Sequence, residues 1–309
     1  MKKVFIDGKA GTTGLRIEER LSGRDDIEIV TIPEELRKDP AAKKEILNSV
    51  DIAFLCLPDQ ASIESVSLIE NENVVVIDTS TAHRTNDNWA YGFPELDKSF
   101  ENKIRNSKRI AVPGCHASGF IALVYPLVKN GIISPDTLLT AHSLTGYSGG
   151  GKNMIAQYED DELDMLLQGP RQYGLTQKHK HLPEMLKVTG LKNAPVFCPI
   201  VGTFYSGMEV TVPLFKSQLL KGGIEDIKEI YKKAYNTPLV SYVEAGDENG
   251  FLSSVKLEGK DSMQIEVYGN EDRILLVARY DNLGKGASGA AVECLNIVLG
   301  AEKTKTLEI

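Results

Sequence analysis

The cysteine at position 115 is the residue of this chain best suited to chemistry. Cys115 follows an apolar run and the turn-forming pair Pro113 and Gly114, and a helical pattern at 120–128 begins shortly after it. The N–H groups at a helix N-terminus have no partners within the helix, so they favour a thiolate over a thiol and can hold an oxyanion. The sequence therefore predicts a nucleophilic cysteine that attacks a carbonyl carbon.

Two histidines that precede a predicted helix are the second candidate. Pro183 and Glu184 are typical of the first turn of a helix, which places His179 and His181 just outside its N-terminus. The positive end of the helix dipole favours a neutral imidazole that accepts a proton, and Glu184 could orient it. The pattern predicts a general acid/base for Cys115 and leaves open which of the two histidines it is.

The same segment allows two other interpretations. Alternating lysines and histidines at 178–181 are typical of a solvated loop, and a His-x-His pair can also bind zinc. No third ligand follows at a motif spacing, so we expect no metal ion. His116 ranks below His179 and His181 as a base, because neighbouring side chains at a helix start point apart.

The elements that must position these residues alternate in the first third of the chain. Short runs that are apolar throughout alternate with helical patterns, which indicates a parallel sheet buried on both faces. We predict strands at 4–6, 27–32, 52–57, 74–77 and 109–112, and helices at 15–21, 41–47 and 62–69. The fold class predicted for this part is α/β, with a parallel sheet of Rossmann type.

The middle of the chain carries more strand signals and fewer helices. This balance predicts an α+β domain with a mixed sheet. We predict strands at 138–144, 197–201, 209–214, 263–267 and 274–280, and helices at 153–167, 184–188 and 224–234. A last helix at 286–299 could return to the first domain.

A glycine-rich turn follows the first predicted strand and opens the first predicted helix. Gly8, Gly11 and Gly14 have the spacing G-x-x-G-x-x-G, with Thr12 and Thr13 at the predicted helix start. Small residues let the backbone approach a pyrophosphate, which then rests on the helix N-terminus. An ordinary tight turn is the alternative, but the strand–turn–helix context favours a dinucleotide-binding site.

The end of the second predicted strand bears on the choice of cofactor. NAD-binding sites usually place an acid there for the ribose 2′-hydroxyl, whereas here the strand ends in Thr-Ile-Pro at 31–33 and the acids at 34–35 come only after it. Two cations, Arg37 and Lys38, follow closely. They favour NADP, although they could equally belong to a solvated helix face.

Three residues after the third and fourth predicted strands are further candidates. Pro58 would pass beside the cofactor, and Ser80 would reach toward the active site. Arg84 follows the fourth strand at the carboxyl edge of the sheet, where ligands bind, and its guanidinium suits a carboxylate or phosphate. A surface arginine is an equally good interpretation of Arg84.

Two more glycine-containing loops precede predicted helices. The loop at 145–152 could form a nest for phosphate or substrate, or a flexible turn, and we place the loop at 281–289 near the nicotinamide. The candidates from these loops are Ser148 and Gly149 for the substrate, and Asn282, Lys285 and Gly286 for the cofactor.

Composition excludes several classes of protein. The net charge of -8 over 309 residues argues against a nucleic-acid partner, since no basic stripe is available for phosphates. No segment approaches the length of a membrane-spanning helix, and the apolar start is too short for a signal peptide. The four cysteines form no C-x-x-C pair. These features predict a reduced, cytoplasmic enzyme with a small-molecule substrate.

Taken together, these motifs resemble the short form of the N-acetyl-γ-glutamyl-phosphate reductase family, within the aspartate-semialdehyde dehydrogenase superfamily. The resemblance covers essentially the whole chain. It is carried by Gly8-x-x-Gly11-x-x-Gly14, Val112-Pro113-Gly114-Cys115, His179-x-His181-x-Pro183-Glu184 and Asp281-Asn282-Leu283-x-Lys285-Gly286.

The resemblance implies a reaction and roles for several residues. It implies that NADPH reduces N-acetyl-γ-glutamyl phosphate to N-acetylglutamate 5-semialdehyde in arginine biosynthesis, with release of phosphate from a thioester on Cys115. His179, ahead of His181, would be the acid/base, and Arg84 would bind a substrate anion. Ser148, Gly149 and Asn282 would lie near the cofactor.

The resemblance also implies a domain organisation. An NADP-binding Rossmann domain would span 1–115 and be completed by 286–309, and residues 116–285 would carry the active site and the contacts of a homo-oligomer, a dimer or a tetramer. Two alternatives remain: an aspartate-semialdehyde dehydrogenase, and a non-catalytic NADP-binding sensor with a buried Cys115.

Overall fold

The computed structural model describes residues 1–37 and 39–309. Lys38, one of the two cations considered for cofactor preference, lies outside the described residues. The chain divides into two units by its contacts. The first unit comprises Met1–Pro94, Lys98–Gly114 and Ala287–Leu307, and the second comprises Glu95–Asp97, Cys115–Gly286 and Glu308–Ile309.

The elements are numbered here in chain order. The strands are β1 (Lys2–Asp7), β2 (Ile27–Val30), β3 (Ile52–Leu55), β4 (Val75–Asp78), β5 (Ala90–Tyr91), β6 (Arg109–Ala111), β7 (Thr140–Thr145), β8 (Arg171–Gln172), β9 (Val196–Val201), β10 (Met208–Phe215), β11 (Val240–Tyr242), β12 (Met263–Gly269) and β13 (Arg273–Tyr280). The helices are α1 (Thr12–Leu21), α2 (Pro40–Ser49), α3 (Asp59–Ser67), α4 (Lys98–Asn106), α5 (Cys115–Lys129), α6 (Gly151–Tyr158), α7 (Leu182–Thr189), α8 (Ile224–Ala234) and α9 (Gly289–Leu299).

The sheet of the first unit is parallel throughout, in the order β2-β1-β3-β4-β6-β5. Successive side chains of a strand point to opposite faces. Val4 and Ile6 accordingly pack into one core with α1 and α9, while Phe5 packs into a second core with α2. Both faces are buried, which explains the uninterrupted apolar runs in the sequence. The predicted Rossmann-type α/β domain is confirmed.

Strand order creates a crevice in this sheet. The strand β1 lies between β2 and β3, so the connections on its two sides leave in opposite directions, and ligands of open α/β sheets bind at such a point. Gly8 follows β1 there, with φ of +83°, and a Cβ on it would collide with the carbonyl oxygen of Cys56 after β3. Only glycine fits this close approach of two backbones.

The second unit is built on a mixed sheet in the order β11-β12-β13-β10-β7-β9-β8. The pairs β11–β12 and β7–β9 are parallel, and the other neighbours are antiparallel. Alternate residues of β10 are buried, and α5 packs against β10, β13, α7 and α8. The predicted α+β domain with a mixed sheet is confirmed.

One predicted helix is wrong in extent. The helix expected over 153–167 ends at Tyr158, and only a short 3-10 turn at Met165–Leu167 follows. The acidic residues at 159–162 oppose the negative end of the helix dipole. The carboxylate of Asp164 then accepts a hydrogen bond from the N–H of Leu166 at 2.9 Å, which starts the separate turn. The helix dipole and the cap outweigh the apolar period that suggested one long helix.

Among the described residues, no helix combines the length and the apolar character that crossing a bilayer requires.

Candidate active site

Cys115 is the first residue of α5, as the Pro-Gly turn predicts. The residues before it, Val112 to Gly114, are buried, whereas Cys115 itself is half-buried and therefore open to solvent. Nearly all of α5 is buried, which fixes the helix start rigidly. A partly exposed thiol at a helix N-terminus is the setting that lowers a thiol pKa and lets the sulfur reach a substrate.

A tyrosine from β13 supports the first turn of this helix. The hydroxyl of Tyr280 donates to the carbonyl oxygen of Cys115 at 2.6 Å and accepts from the N–H of Gly119 at 3.0 Å. Burial and, second, the negative charge at Cys115 raise the pKa of Tyr280 well above its ordinary value. The phenol therefore keeps its proton and holds the backbone around the sulfur.

Gly286 packs against the same cysteine. A Cβ on Gly286 would lie 3.1 Å from the Cβ of Cys115 and 3.0 Å from the carbonyl oxygen of Asp281. Gly286 belongs to a π-helical turn at Gly284–Ser288, a rare conformation that is frequent at functional sites. The structure thus places this glycine, predicted to bind cofactor, directly beside the nucleophile.

The predicted histidines form one aromatic cluster with His116. The ring centroids of His179 and His181 are 4.7 Å apart, and each lies 5.6 Å from the centroid of His116. Tyr173 and Phe197 complete the cluster, at 5.9 Å and 5.1 Å from His179. Because His116 follows Cys115 in the chain, the cluster lies next to the residue that carries the thiol.

His179 is neutral, with its proton on Nε2. Its Nδ1 accepts a hydrogen bond from the backbone N–H of His181 at 3.2 Å, so Nδ1 carries no proton. Burial and, second, the charge of Lys180 lower the pKa of His179 to about 4. The neutral state expected from the helix position is confirmed, but burial is its main cause.

The other two candidate residues of this segment, His181 and Glu184, are deeply buried. His181 is the N-cap residue of α7 and 4% exposed, whereas His179 is only half-buried. Glu184 lies in the first turn of α7, as expected, and is 1% exposed. Of the two candidate bases, His179 is thus the one that a substrate reaches more easily.

His116, which the sequence placed third, is the most buried of the three histidines in the cluster. Its Nδ1 lies 2.6 Å from Oγ of Ser143, and its Nε2 lies 2.6 Å from Oη of Tyr173. Burial, followed by repulsion from His179 when that ring is protonated and from Lys180, lowers the pKa of His116 to about 3. His116 is therefore a neutral hydrogen-bonding group and not a base exposed to substrate.

The second glycine loop meets the segment 281–286. Asn282 donates from Nδ2 to Oγ of Ser148 at 3.0 Å and accepts at Oδ1 from the N–H of Gly207 at 2.9 Å. Ser148 is buried, while Gly149 is exposed, with Nδ2 of Asn282 3.5 Å from an added Cβ. The structure brings these three candidate residues together.

Lys285 is held by an acidic partner. Its Nζ lies 2.6 Å from Oε1 of Glu95, and the two side chains are 2% and 4% exposed. The pair anchors the π-helical turn that contains Gly286. The ammonium group of Lys285, predicted to bind cofactor, is thus engaged in a buried ion pair.

The predicted dinucleotide turn has the expected local form in the first unit. Gly11 is the N-cap of α1, its N–H donates to the carbonyl oxygen of Gly8 at 3.0 Å, and Thr12 and Thr13 form the first turn of the helix. A Cβ on Gly14 would lie 2.6 Å from the carbonyl oxygen of Gly8. The turn can bring its backbone against a pyrophosphate because no side chain intervenes.

A cleft of about 460 Å³ opens beside this turn. It is lined by residues 5–9 of β1 and the turn, residues 29–32 at the end of β2, and the side chains of Arg37 and Lys43. The end of β2 contributes no acid to the cleft. Lys43 pairs with Oδ2 of Asp7 at 3.0 Å, so a lysine that the sequence analysis did not name joins Arg37 in this cleft.

The remaining candidates of the first unit lie after β3 and β4. Pro58 is exposed and caps α3, while Ser80 is buried and donates from Oγ to Oδ2 of Asp78 at 2.7 Å. Arg84 is buried and donates to the carbonyl oxygens of Val112 at 2.8 Å and Thr79 at 2.8 Å. Arg84 therefore links the end of β4 to the segment that leads into Cys115.

Within the described ranges, 1–37 and 39–309, no group of three or more His, Cys, Asp or Glu side chains is arranged to hold a metal ion. Five residues of the site were not predicted from the sequence: Ser143, Tyr173, Tyr280, Glu95 and Lys43. The first four contact their partners across 27 to 190 residues of chain. Lys43 lies in α2, 36 residues after its partner Asp7, so it had no local signal either.

Two families match the two parts of the chain. Residues 12–105 match the semialdehyde dehydrogenase NAD-binding domain, and residues 115–282 match the semialdehyde dehydrogenase dimerisation domain. The boundary between the two matches falls just before Cys115.

Curated relatives align over nearly the full length. The chain is 46% identical over 307 residues to an N-acetyl-gamma-glutamyl-phosphate reductase of Sinorhizobium medicae, covering 97% of this chain and 99% of the relative. It is 47% identical over 307 residues to the protein of that name from Chelativorans sp., covering 96% and 98%.

Solved structures share the fold at low identity. Aspartate semialdehyde dehydrogenase II of Vibrio cholerae superposes with a TM-score of 0.72 at 16% identity, covering 97% of this chain and 98% of that one. Aspartate semialdehyde dehydrogenase of Candida albicans, solved with NADP, gives a TM-score of 0.70 at 16% identity, covering 97% and 99%.

Proposed function

The chain belongs to the N-acetyl-γ-glutamyl-phosphate reductase family, among the semialdehyde dehydrogenases, and we propose that it reduces N-acetyl-γ-glutamyl phosphate to N-acetylglutamate 5-semialdehyde with NADPH, a step of arginine biosynthesis. The observation that carries this function is the half-buried Cys115 at the start of α5, with the neutral His179 in the cluster that the neighbouring His116 joins.

The first half of the proposed reaction transfers the acyl group to the cysteine. The sulfur of Cys115 attacks the acyl carbon, a C–S bond forms, and the C–O bond to phosphate breaks. Cys115 attacks as the thiolate, the electron pair of the broken C–O bond leaves with the phosphate, and the Nε2–H of His179 donates a hydrogen bond to the departing oxygen, so that the thioester is left uncharged. The N–H groups at the start of α5 are available to the oxyanion.

The second half reduces the thioester. Bound NADPH supplies the hydride for this step. The carbonyl oxygen takes up the negative charge and the C–S bond then breaks, which returns the electron pair to the sulfur of Cys115. His179 stays neutral during this collapse, because its lowered pKa disfavours a second proton.

The first unit has the groups that would hold the cofactor. Gly8, Gly11 and Gly14 leave room for a pyrophosphate against the N-terminus of α1. Arg37 and Lys43 in the neighbouring cleft supply positive charge suited to the 2′-phosphate of NADP. Asn282 and Ser148 are proposed to line the nicotinamide and substrate region of the second unit, and Arg84 is proposed to bind a substrate anion.

We propose that the second unit also assembles the protein into a dimer or tetramer. Pro213 of β10 pairs with Leu275 of β13, so the face that carries Leu275 also carries Phe215. Phe215 and Leu275 are 63% and 42% exposed. Leu275→Asp should lower the molar mass measured by light scattering, whereas an unchanged mass would argue for another surface.

The cytoplasmic location expected from the sequence stays a prediction. Among the described residues, the cysteines are not joined in disulfides, which supports a reducing compartment.

A comparison of two aldehydes tests the proposed function. The purified chain is given NADP⁺, phosphate and either N-acetylglutamate 5-semialdehyde or aspartate semialdehyde, and NADPH formation is followed by absorbance. The proposal predicts rapid turnover of the first and a rate at least about 100-fold lower with the second, since buried polar groups left unpaired by the wrong substrate weaken its transition state. The opposite preference would identify an aspartate-semialdehyde dehydrogenase, and no turnover of either would support the non-catalytic alternative.

A further inference from the structure

Three polar side chains form a hydrogen-bonded series that includes the residue next to Cys115. Oγ of Ser143 on β7 is 2.6 Å from Nδ1 of His116, and Nε2 of His116 is 2.6 Å from Oη of Tyr173, which follows β8. Ser143 is fully buried and His116 is 3% exposed, whereas Tyr173 is half-buried. The series therefore runs from the interior of the second unit toward its surface.

Because His116 is neutral, the hydrogen bonds of this series must all point the same way. A neutral imidazole has one N–H donor and one acceptor nitrogen, so it cannot accept from both hydroxyls or donate to both. Either Ser143 donates to Nδ1 and Nε2 donates to Tyr173, or Tyr173 donates to Nε2 and Nδ1 donates to Ser143. The first arrangement leaves the Tyr173 hydroxyl proton for a third group, and the second leaves the Ser143 hydroxyl proton.

Burial decides between them. In the part of the chain that the structure describes, the Ser143 hydroxyl bonds to His116 alone, so the second arrangement leaves its proton unpaired in the interior. An unsatisfied buried donor costs about 1–3 kcal/mol. The first arrangement leaves the proton of the half-buried Tyr173, which solvent or substrate can accept. Ser143 is therefore the donor to His116, and the O–H of Tyr173 points away from the imidazole.

Tyr173 lies next to the candidate acid/base and to the residue that follows the nucleophile. The ring of Tyr173 lies 5.9 Å from that of His179, and its hydroxyl is bound by the residue next to Cys115. Burial and, second, the negative charge at Cys115 raise the pKa of Tyr173. The phenol therefore keeps its proton and remains a hydrogen-bond donor.

We propose that Tyr173 is a further catalytic residue, whose hydroxyl donates a hydrogen bond to the acyl oxygen as that oxygen becomes negative during attack by Cys115. No proton leaves the phenol in this step. His116 and Ser143 are positioning residues, because they turn the O–H toward the substrate and touch no reacting atom. The inference rests on the proposed function for the identity of the acyl group.

Two reagents separate this role from a structural one. The ester p-nitrophenyl acetate acylates Cys115 with release of nitrophenolate and passes through an oxyanion, whereas iodoacetamide alkylates the same sulfur without one. Tyr173→Phe should slow acylation by about 100-fold, the effect of removing one oxyanion donor, and change alkylation by less than about twofold. Tyr242→Phe is the control, since the Tyr242 hydroxyl contacts the exposed Glu244.

Ser143 provides the test of direction. Ser143→Ala should slow acylation by about tenfold in the native background, because Tyr173 can then donate to His116 instead. In the Tyr173→Phe background the same change should have no effect, since there is no O–H left to direct.

Three results would overturn the inference. They are acylation by Tyr173→Phe within twofold of the native rate, alkylation slowed as much as acylation, and effects of the two substitutions that simply multiply. The ester needs neither NADPH nor the natural substrate. A chain that fails to turn over N-acetylglutamate 5-semialdehyde but shows the predicted acylation pattern would contradict the proposed function and leave the role of Tyr173 standing.

Discussion

The hydroxyl of Tyr280 lies 2.6 Å from the carbonyl oxygen of Cys115 and links it to the N–H of Gly119, 3.0 Å away on the other side. In a regular α-helix these two backbone groups bond to each other. Here a phenol from β13, 165 residues along the chain from Cys115, joins them. The first turn of α5 is thus positioned by the mixed sheet, and so is the sulfur at its start.

Gly119 should be intolerant of a methyl group. A Cβ there would lie 2.6 Å from Oη of Tyr280 and 2.7 Å from Cγ2 of Val210. Gly119→Ala should lower the free energy of unfolding by about 1–3 kcal/mol, the usual effect of overpacking, as measured by urea denaturation. Gly149→Ala is the control, because its nearest neighbour lies 3.5 Å from the added Cβ. Equal stability of the two variants would contradict this packing.

His116 should make the protein less stable in acid. Its pKa is about 3 when folded, against 6.5 ordinarily, so below pH 6.5 the unfolded chain binds more protons than the folded one. Stability should therefore fall as the pH drops from about 6.5 toward 3. In His116→Gln the fall between pH 6 and 5 should be smaller by up to about 1.4 kcal/mol per pH unit. A native slope in His116→Gln would exclude the neutral imidazole.

Lys43 should select the phosphorylated cofactor. Binding of 2′,5′-ADP and of 5′-AMP is measured by calorimetry, so the test does not depend on turnover. Lys43→Met should weaken 2′,5′-ADP by about tenfold, one charge-assisted contact, and leave 5′-AMP nearly unchanged. Lys44→Met, whose native side chain pairs with Glu70 on the surface, is the control. Equal weakening of both nucleotides would mean that Lys43 supports the cleft without reading the 2′-phosphate.

Glu95 and Lys285 should stabilise the protein as a coupled pair, so that the losses of stability on substituting them are not additive. Both side chains are at least nine-tenths buried, and removal of one leaves the other charge without its partner. Lys285→Met or Glu95→Gln alone should destabilise the protein by about 3–5 kcal/mol. The double substitution should cost less than the sum of the two. Additive losses in urea denaturation would contradict the coupling.

Local patterns were sufficient for the parts of the site that lie on one turn. The thiol at the helix start, the glycines after β1 and the histidines before α7 each depend on a few neighbouring residues, and the structure has all three in the expected local form. The apolar runs predicted the parallel sheet for the same reason, since a strand that is buried on both faces is apolar at every position.

Contacts between residues far apart in the sequence could not be predicted from local patterns. Tyr280 reaches Cys115 only through the register of β13, and Tyr173 reaches His116 because β8 joins the edge of the mixed sheet. His116 was ranked low from the geometry of adjacent helix residues. Its side chain nevertheless enters the histidine cluster, because the interior of the second unit offers Ser143 and Tyr173 as partners.

The rate of NADPH formation by Cys115→Ala is the most direct test of the account. The native chain and the variant are given N-acetylglutamate 5-semialdehyde, phosphate and NADP⁺, with Cys198→Ala as the control. Covalent catalysis by Cys115 predicts a rate more than about 10⁴-fold below native, with NADPH binding unchanged and Cys198→Ala fully active. A variant that keeps turnover within tenfold of native, or that loses NADPH binding together with activity, would show that the thiol is not the nucleophile.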